Sequence, residues 1–247
     1  MRRYMRVIGV LAIAMILSSA TNAASSESTY LYRVTLVQVA PGRLVDFIDA
    51  YKIFAANLPP TEEKPMWLRH SQGDHWDLMI LTPMNSHELY YSAERLRTRA
   101  KAESTHPDPL KNTDLIATQE DVFVYGPPVA ELRAAMDAGK FYHVEMFQAL
   151  PAHHQDLLTE RGMEKAYQHV LHRPENFLFI RDSGAAWDCF TIGVYRDLKH
   201  YAESADIPEE EQEKAARAAG FAKASDIGPT LRKYIRSHHD TLAVAVK

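Results

Sequence analysis

One nine-residue pattern occurs twice in this chain. Gly73-Asp74-His75-Trp76-Asp77-Leu78-Met79-Ile80-Leu81 returns 111 positions later as Gly184-Ala185-Ala186-Trp187-Asp188-Cys189-Phe190-Thr191-Ile192. A glycine turn, a Trp-Asp pair and an apolar run make each copy, and two of the three tryptophans fall at matched places. Turn glycine followed by a β-rich run reads as a hairpin entering a strand. The flanks repeat as well. Tyr32 to Pro41 aligns with Tyr142 to Pro151 at an offset of 110, and Tyr90 with Tyr201 at 111.

Each copy carries the same order of elements. In the first, Tyr32 to Val39 is a β-branched strand stopped by Ala40-Pro41-Gly42. Residues 43 to 57 then change period, with Leu44, Phe47, Ile48, Tyr51 and Ala55 on one helical face. Leu58-Pro59-Pro60 ends that helix. Met66 to His70 and His75 to Leu81 form a hairpin. Asn85 with Glu88 resembles a capping box for a second helix through Leu89, Ala93 and Leu96, and Asp121 to Tyr125 is a fourth strand. The order is β-α-β-β-α-β. The second copy repeats it with strands from Tyr142, Phe177, Trp187 and Thr241 and a helix through Leu158, Met163, Ala166 and Val170. A helix over 129–140 links the two. One surface helix, Pro208 to Gly220, has no counterpart; proline and acids open it, and glycine closes it, as caps and helix dipole favour.

A period near 110 residues is too long for a solenoid and matches one complete ferredoxin-like unit. Two such units can bury their bare sheet faces against each other. The chain therefore resembles the dimeric α/β-barrel superfamily in a tandem form. The expected fold is α+β: two ferredoxin-like βαββαβ units, 30–128 and 141–247, packed sheet-to-sheet as an intrachain α/β barrel. The resemblance covers nearly all of the chain after its leader. It implies a range of activities, among them cofactor-free monooxygenases, haem proteins resembling chlorite dismutase, isomerase-like enzymes and stress-associated proteins. No motif diagnostic of one branch is present.

The N-terminus reads as an address. Three arginines within Met1 to Arg6, an apolar run of 11 residues from Val7 to Leu17, and small residues ending at Ala23 have the order of a secretory signal peptide over 1–23. The run is too short to span a bilayer as a stable helix. No cysteine follows it, since the single cysteine is Cys189, so a lipoprotein anchor is excluded. The expected location is periplasmic or secreted, with no membrane attachment after cleavage. One cysteine allows no internal disulfide, so a sizeable core must supply stability. The formal net charge is −4, and −7 once Arg2, Arg3 and Arg6 leave with the leader; this excludes the basic surface of a nucleic-acid binder.

Strand alternation supplies the candidate site residues. Val34 and Leu36, like Val144 and Met146, form the apolar face that helices require. Arg33, Thr35, His143 and Glu145 are then expected to point between the sheets into a polar cavity. A histidine beside a carboxylate can move protons. Asp77 and Asp188 recur in both copies, which favours a role in the shared fold: Trp packing under a helix, Asp tying down a hairpin or pairing with Arg69 or Arg181. His75 against Ala186 and His70 against Arg181 are places where the copies differ. The candidates are His143, Glu145, His75 and Asp77 for catalysis, and Arg33, Thr35, His70, Arg181 and Asp188 for ligand binding. No Cys-x-x-Cys, Cys-x-x-Cys-His or His-Glu-x-x-His pattern occurs, so no metal site and no cofactor are expected. Haem stays open, with His169 or His172 at a helix end as conceivable axial ligands. Cys189 reads as a buried, inert thiol.

The partner expected is a small hydrophobic or aromatic molecule, bound by a monomer or homodimer. Cofactor-free oxygenation or proton transfer is the chemistry if the chain is an enzyme. A non-catalytic binding or interaction protein is the alternative, and a haem-binding protein the third.

Overall fold

The computed structural model describes residues 29–246; the signal peptide expected over 1–23 lies outside them. The chain runs β1 (Tyr30–Val39), α1 (Leu44–Ala56), β2 (Met66–Gln72), β3 (Leu78–Asn85), α2 (His87–Tyr90), α3 (Ala93–Glu103) and β4 (Ile116–Gly126). After α4 (Val129–Ala138) come β5 (Phe141–Ala149), α5 (His154–Val170), β6 (Phe177–Ser183) and β7 (Cys189–Tyr195). Then follow α6 (Leu198–Ala202), α7 (Glu209–Ala218), α8 (Ile227–Leu231) and β8 (Ile235–Ala245). The strands close into one antiparallel barrel in the order β1-β3-β2-β8-β5-β7-β6-β4. Each half contributes a four-stranded sheet. The seams between halves are the pairs β2–β8 and β4–β6.

Local chemistry sets the element ends. Gly42 takes φ +79 where Ala40-Pro41-Gly42 turns out of β1. Ser86 caps α2 by accepting from Leu89 N–H, and Ser92 caps α3 by accepting from Arg95 N–H. Asn85 is not the cap; it sits one residue earlier, in the left-handed region at φ 71. Helix α7 turns the acids of its first turn to solvent and buries Ala215 and Ala216, the latter in a cluster with Phe221, Met163 and Tyr167.

The direction of the strand faces is the reverse of the expected one. Tyr32, Val34 and Leu36 of β1, and Tyr142, Val144 and Met146 of β5, point into the barrel and fill its middle with Met79, Phe179 and Phe190. Arg33, Thr35, His143 and Glu145 lie on the outer faces, toward the helices. The reason is geometric. A closed barrel receives side chains from every strand and leaves no room for water among them, so its interior is the more stringently apolar space. The helices need only part of the outer face. Helix α1 covers Val37, Val39, Leu78 and Ile80 with Phe47 and Tyr51. Helix α5 covers Phe147 and Cys189 with Leu157 and Leu158. The rest of each outer face can carry polar groups. Trp76 and Trp187 likewise enter the barrel cluster and do not pack under helices.

Candidate functional site

Three spaces around this frame hold the candidate residues. The first lies between the outer face of the first sheet and its helices. It encloses about 310 Å³ and is lined by Arg33, Tyr51, Thr82, Tyr90, Asp108 and Phe54, among others. That volume is at the lower end of small-molecule pockets. Arg33 stands on β1 between Thr82 of β3 and Phe123 of β4. Its Nε is 3.9 Å from Asp121 Oδ1, beyond hydrogen-bond length, and is buried without any hydrogen-bond partner. Asp121 is engaged elsewhere, accepting from Thr35 Oγ1 at 2.5 Å. Burial opposes the charge on Arg33, but nearby Tyr90 and Asp121 outweigh it and keep the guanidinium firmly protonated. Asp108 is buried and accepts from Leu110 N–H at 3.0 Å; burial raises its pKa, with Arg33 among the groups opposing the rise. The phenol of Tyr51 is raised by burial as well. Thr82 lies close enough to influence that phenol, yet its hydroxyl makes no hydrogen bond of proper geometry.

Helix α3 forms one wall of this chamber and buries none of its residues. It is held by charge. Glu62, with a side chain only 5% exposed, pairs with Arg95 at 2.6 Å and Arg99 at 3.2 Å. The Arg99 guanidinium also lies 4.0 Å above the Tyr90 ring.

The second unit fills the equivalent space. Arg161 stands where the first unit has Tyr51. It pairs with Glu160 at 2.7 Å and Glu164 at 2.6 Å and lies 4.4 Å over the Phe147 ring. The cavity beside it, lined by Glu164, Asn176 and Thr191, is only about 40 Å³. On the sheet next to it, His143 Nε2 lies 3.3 Å from Asp240 Oδ1 and His143 Nδ1 lies 3.9 Å from Glu145 Oε2. Burial opposes the charge on His143, but Asp240 and Glu145 outweigh it and raise its pKa.

The third space, about 440 Å³, opens at one end of the barrel between the two Trp-Asp hairpins. It has pseudo-twofold walls: Gln38 faces Gln148, and Trp76 faces Trp187. The rim differs. His75 Nδ1 lies 2.6 Å from Asp74 Oδ1 on one side, where Ala186 and Ala185 stand on the other. Both indole N–H groups are buried without an acceptor.

The sequence candidates thus do not converge on one site. Arg33 lines the first chamber, Thr35 is buried on the same strand face and bonds Asp121, His143 and Glu145 lie on the outer face of the second sheet, and His75 is at the barrel mouth. His70 lies inside the barrel, 5.8 Å from Trp76 between ring centroids, with Nε2 lacking a partner. Asp77 and Asp188 bind backbone: Oδ2 of each accepts a 2.8 Å hydrogen bond, from Val39 N–H and Ala149 N–H respectively. Arg181 donates to Asp188 Oδ1 at 3.0 Å and to the Ala185 carbonyl at 2.9 Å. The residues that sequence reading missed are Tyr51, Tyr90, Asp108, Asp121 and Asp240. Tyr51 reads as one more apolar residue of a helix face. Asp121 and Asp240 declare themselves only through strand register, Thr35 opposite Asp121 and Glu145 opposite Asp240.

The fold is a closed antiparallel α+β barrel with two ferredoxin-like units in one chain, an architecture shared with the solved structures below. No family model matches the sequence, and no curated protein matches it. Among solved structures, it is similar to an anthrone oxidase-like protein, with 14% identity, a TM-score of 0.55 and coverage of 91% of this chain and 93% of the other. A provisionally assigned monooxygenase from Fusobacterium nucleatum gives 9% identity, a TM-score of 0.54 and coverage of 89% and 94%. One from Lactobacillus acidophilus NCFM gives 9%, 0.51, and 87% and 93%. At these identities the likeness concerns the fold.

Proposed function

We propose that this chain binds a small aromatic molecule bearing an anionic or enolisable oxygen in the chamber of its first unit. The observation that carries this is Arg33: a guanidinium facing a chamber, its side chain 24% exposed but its Nε buried with no hydrogen-bond partner. A buried N–H donor without an acceptor is costly, and an anionic ligand oxygen relieves that cost. Tyr51, Phe54, Tyr90 and Tyr91 give the apolar body of such a ligand its walls.

The same arrangement suits proton transfer or cofactor-free oxygenation. Arg33 would stabilise a phenolate or enolate, and Asp108, with its raised pKa, would carry a proton in the same chamber. The names of the structurally similar proteins support this class as the first to test. Binding of anthrone and simpler phenols is measured by quenching of intrinsic fluorescence, and oxygen uptake is followed in parallel. Wild type is expected to bind and Arg33→Met to lose at least about tenfold in affinity, the worth of one charge-assisted hydrogen bond. Equal binding by both would overturn the reading. Binding without oxygen uptake or proton exchange would favour a non-catalytic carrier.

Haem fits these residues poorly. His169 points its Nδ1 at Glu175 Oε1 (2.6 Å) with a side chain 75% exposed. Arg161 occupies the outer face beside α5, and among the described residues no histidine, cysteine or methionine lines the first chamber. A purified chain without a Soret band is the expected outcome. We further propose export, to be checked by N-terminal sequencing of the mature protein for a start at Ala24. Both sheets of the barrel come from one chain, so a monomer suffices for this site; sedimentation tests that.

A further inference from the structure

We propose that His143, Glu145 and Asp240 bind one divalent transition-metal ion on the outer face of the second sheet. Strand register builds the cluster. His143 and Glu145 are two apart on β5 and share a face, and Glu145 lies directly opposite Asp240 on β8. One nitrogen of His143 and one oxygen from each carboxylate all lie within 4.8 Å of one another. The 3.3 Å between His143 Nε2 and Asp240 Oδ1 is the spacing of two ligands around a tetrahedral ion with bonds of about 2.0–2.2 Å. His238, two residues before Asp240, reaches its other oxygen at 3.2 Å and closes the far side.

The two copies explain why a cation is wanted here. At the matched place the first unit has Arg33, Thr35 and Asp121: a permanent positive charge beside one carboxylate. The second unit has His143, Glu145 and Asp240. A guanidinium has become an imidazole and a hydroxyl has become a carboxylate. With neutral imidazoles the cluster is two positive charges short of its counterpart, the charge of one divalent ion. Arg161 makes its close contacts with Glu160 and Glu164 and acts on Glu145 and Asp240 only through its charge.

The surroundings also suit a metal. Glu145 Oε2 accepts from Thr191 Oγ1 at 3.2 Å and Asn176 Nδ2 at 3.4 Å, which fixes the carboxylate as outer-shell partners do. Asn176, 7% exposed, keeps its Oδ1 without a partner beside the cluster, a spare neutral oxygen donor. The Tyr201 ring packs against the His143 imidazole at 5.3 Å and limits its rotation. Asp240 is half exposed, so an ion can enter from solvent. Imidazole with carboxylates suits Zn²⁺, Mn²⁺ or Fe²⁺; Zn²⁺ is the probe.

The test uses the full chain purified without a polyhistidine tag and stripped with chelator. Zn²⁺ is titrated calorimetrically, and Co²⁺ is substituted to read its visible absorption bands. One ion per chain is expected, with a rise in Tm on binding. Asp240→Asn, at a half-exposed position, is expected to weaken binding about tenfold or more and to change the Co²⁺ bands, as is His143→Gln. His75→Ala should leave both unchanged. Absence of saturable one-to-one binding, or an unchanged affinity and Co²⁺ spectrum in Asp240→Asn, would overturn the site. The outcome is independent of the first-unit chamber, which lies on the other sheet.

Discussion

Asp188 accepts the backbone N–H of Ala149 at 2.8 Å, and Asp77 does the same for Val39, also at 2.8 Å. Each aspartate fastens the start of a third strand to the end of the first strand in its own unit. The reciprocal backbone bonds run from Asp188 N–H to Phe147 and from Asp77 N–H to Val37. The doubled Trp-Asp pair is thus a clasp, with the carboxylate on backbone and the indole in the barrel.

Removing the clasp leaves a backbone donor unsatisfied. Asp77→Ala is expected to cost about 1–3 kcal/mol. Asp188→Ala should cost more, because Arg181 loses its carboxylate as well. Urea denaturation of both variants at neutral pH measures the difference; equal midpoints would refute the ranking.

The hairpin glycines test the seams. Gly73 takes φ +122, and a Cβ there would stand 2.2 Å from the Asp240 carbonyl, across the join between the halves. Gly42 takes φ +79 with nothing within 4 Å of a Cβ. Gly42→Ala should cost only the backbone penalty of about 1–2 kcal/mol. Gly73→Ala must also displace main chain of β8, so its loss should exceed that of Gly42→Ala clearly in thermal melts.

Charge holds α3 in place, so charge should release it. Glu62→Gln removes the partner of both Arg95 and Arg99. Amide hydrogen exchange over 93–103 is expected to quicken by about tenfold or more, while the core of β1 and β3 stays protected. Unchanged exchange over α3 would show that other contacts hold the chamber wall.

Glu160 should make stability fall as pH rises from about 4.5 towards 7. Burial raises its pKa from 4.5 to about 7. The Arg161 contact opposes this without prevailing, because Arg161 divides its charge with Glu164 and Glu160 Oε1 is buried with no partner. Between pH 4.5 and 7 the folded chain holds a proton that the unfolded chain releases, so this group's contribution declines across that window. Glu160→Gln should flatten the dependence and raise Tm relative to wild type more at pH 8 than at pH 5. Parallel melting curves at the two pH values would contradict it.

Much of the fold was legible in the sequence, because a repeat with matched turns and tryptophans leaves few architectures open. The faces were not. Val34 and Leu36 meet the demand of a barrel interior as well as that of a helix, and alternation alone cannot tell which neighbour claims them. Arg33, Thr35, His143 and Glu145 were therefore assigned to the wrong side, although correctly grouped by strand and copy. Asp121 and Asp240 could not be joined to them from sequence, since cross-strand partners depend on register. Tyr51 and Arg161, at matched helix positions, are one of the differences between the open chamber and the small cavity.

In a homodimeric barrel, every residue is present twice, and a change that suits one subunit is imposed on the other. Here the ring is closed by two halves encoded separately. A substitution such as tyrosine for arginine under one helix alters a single chamber and leaves the opposite wall as it was. The anion site proposed on one side and the cation site proposed on the other need that independence, a division of labour that an exact twofold axis forbids.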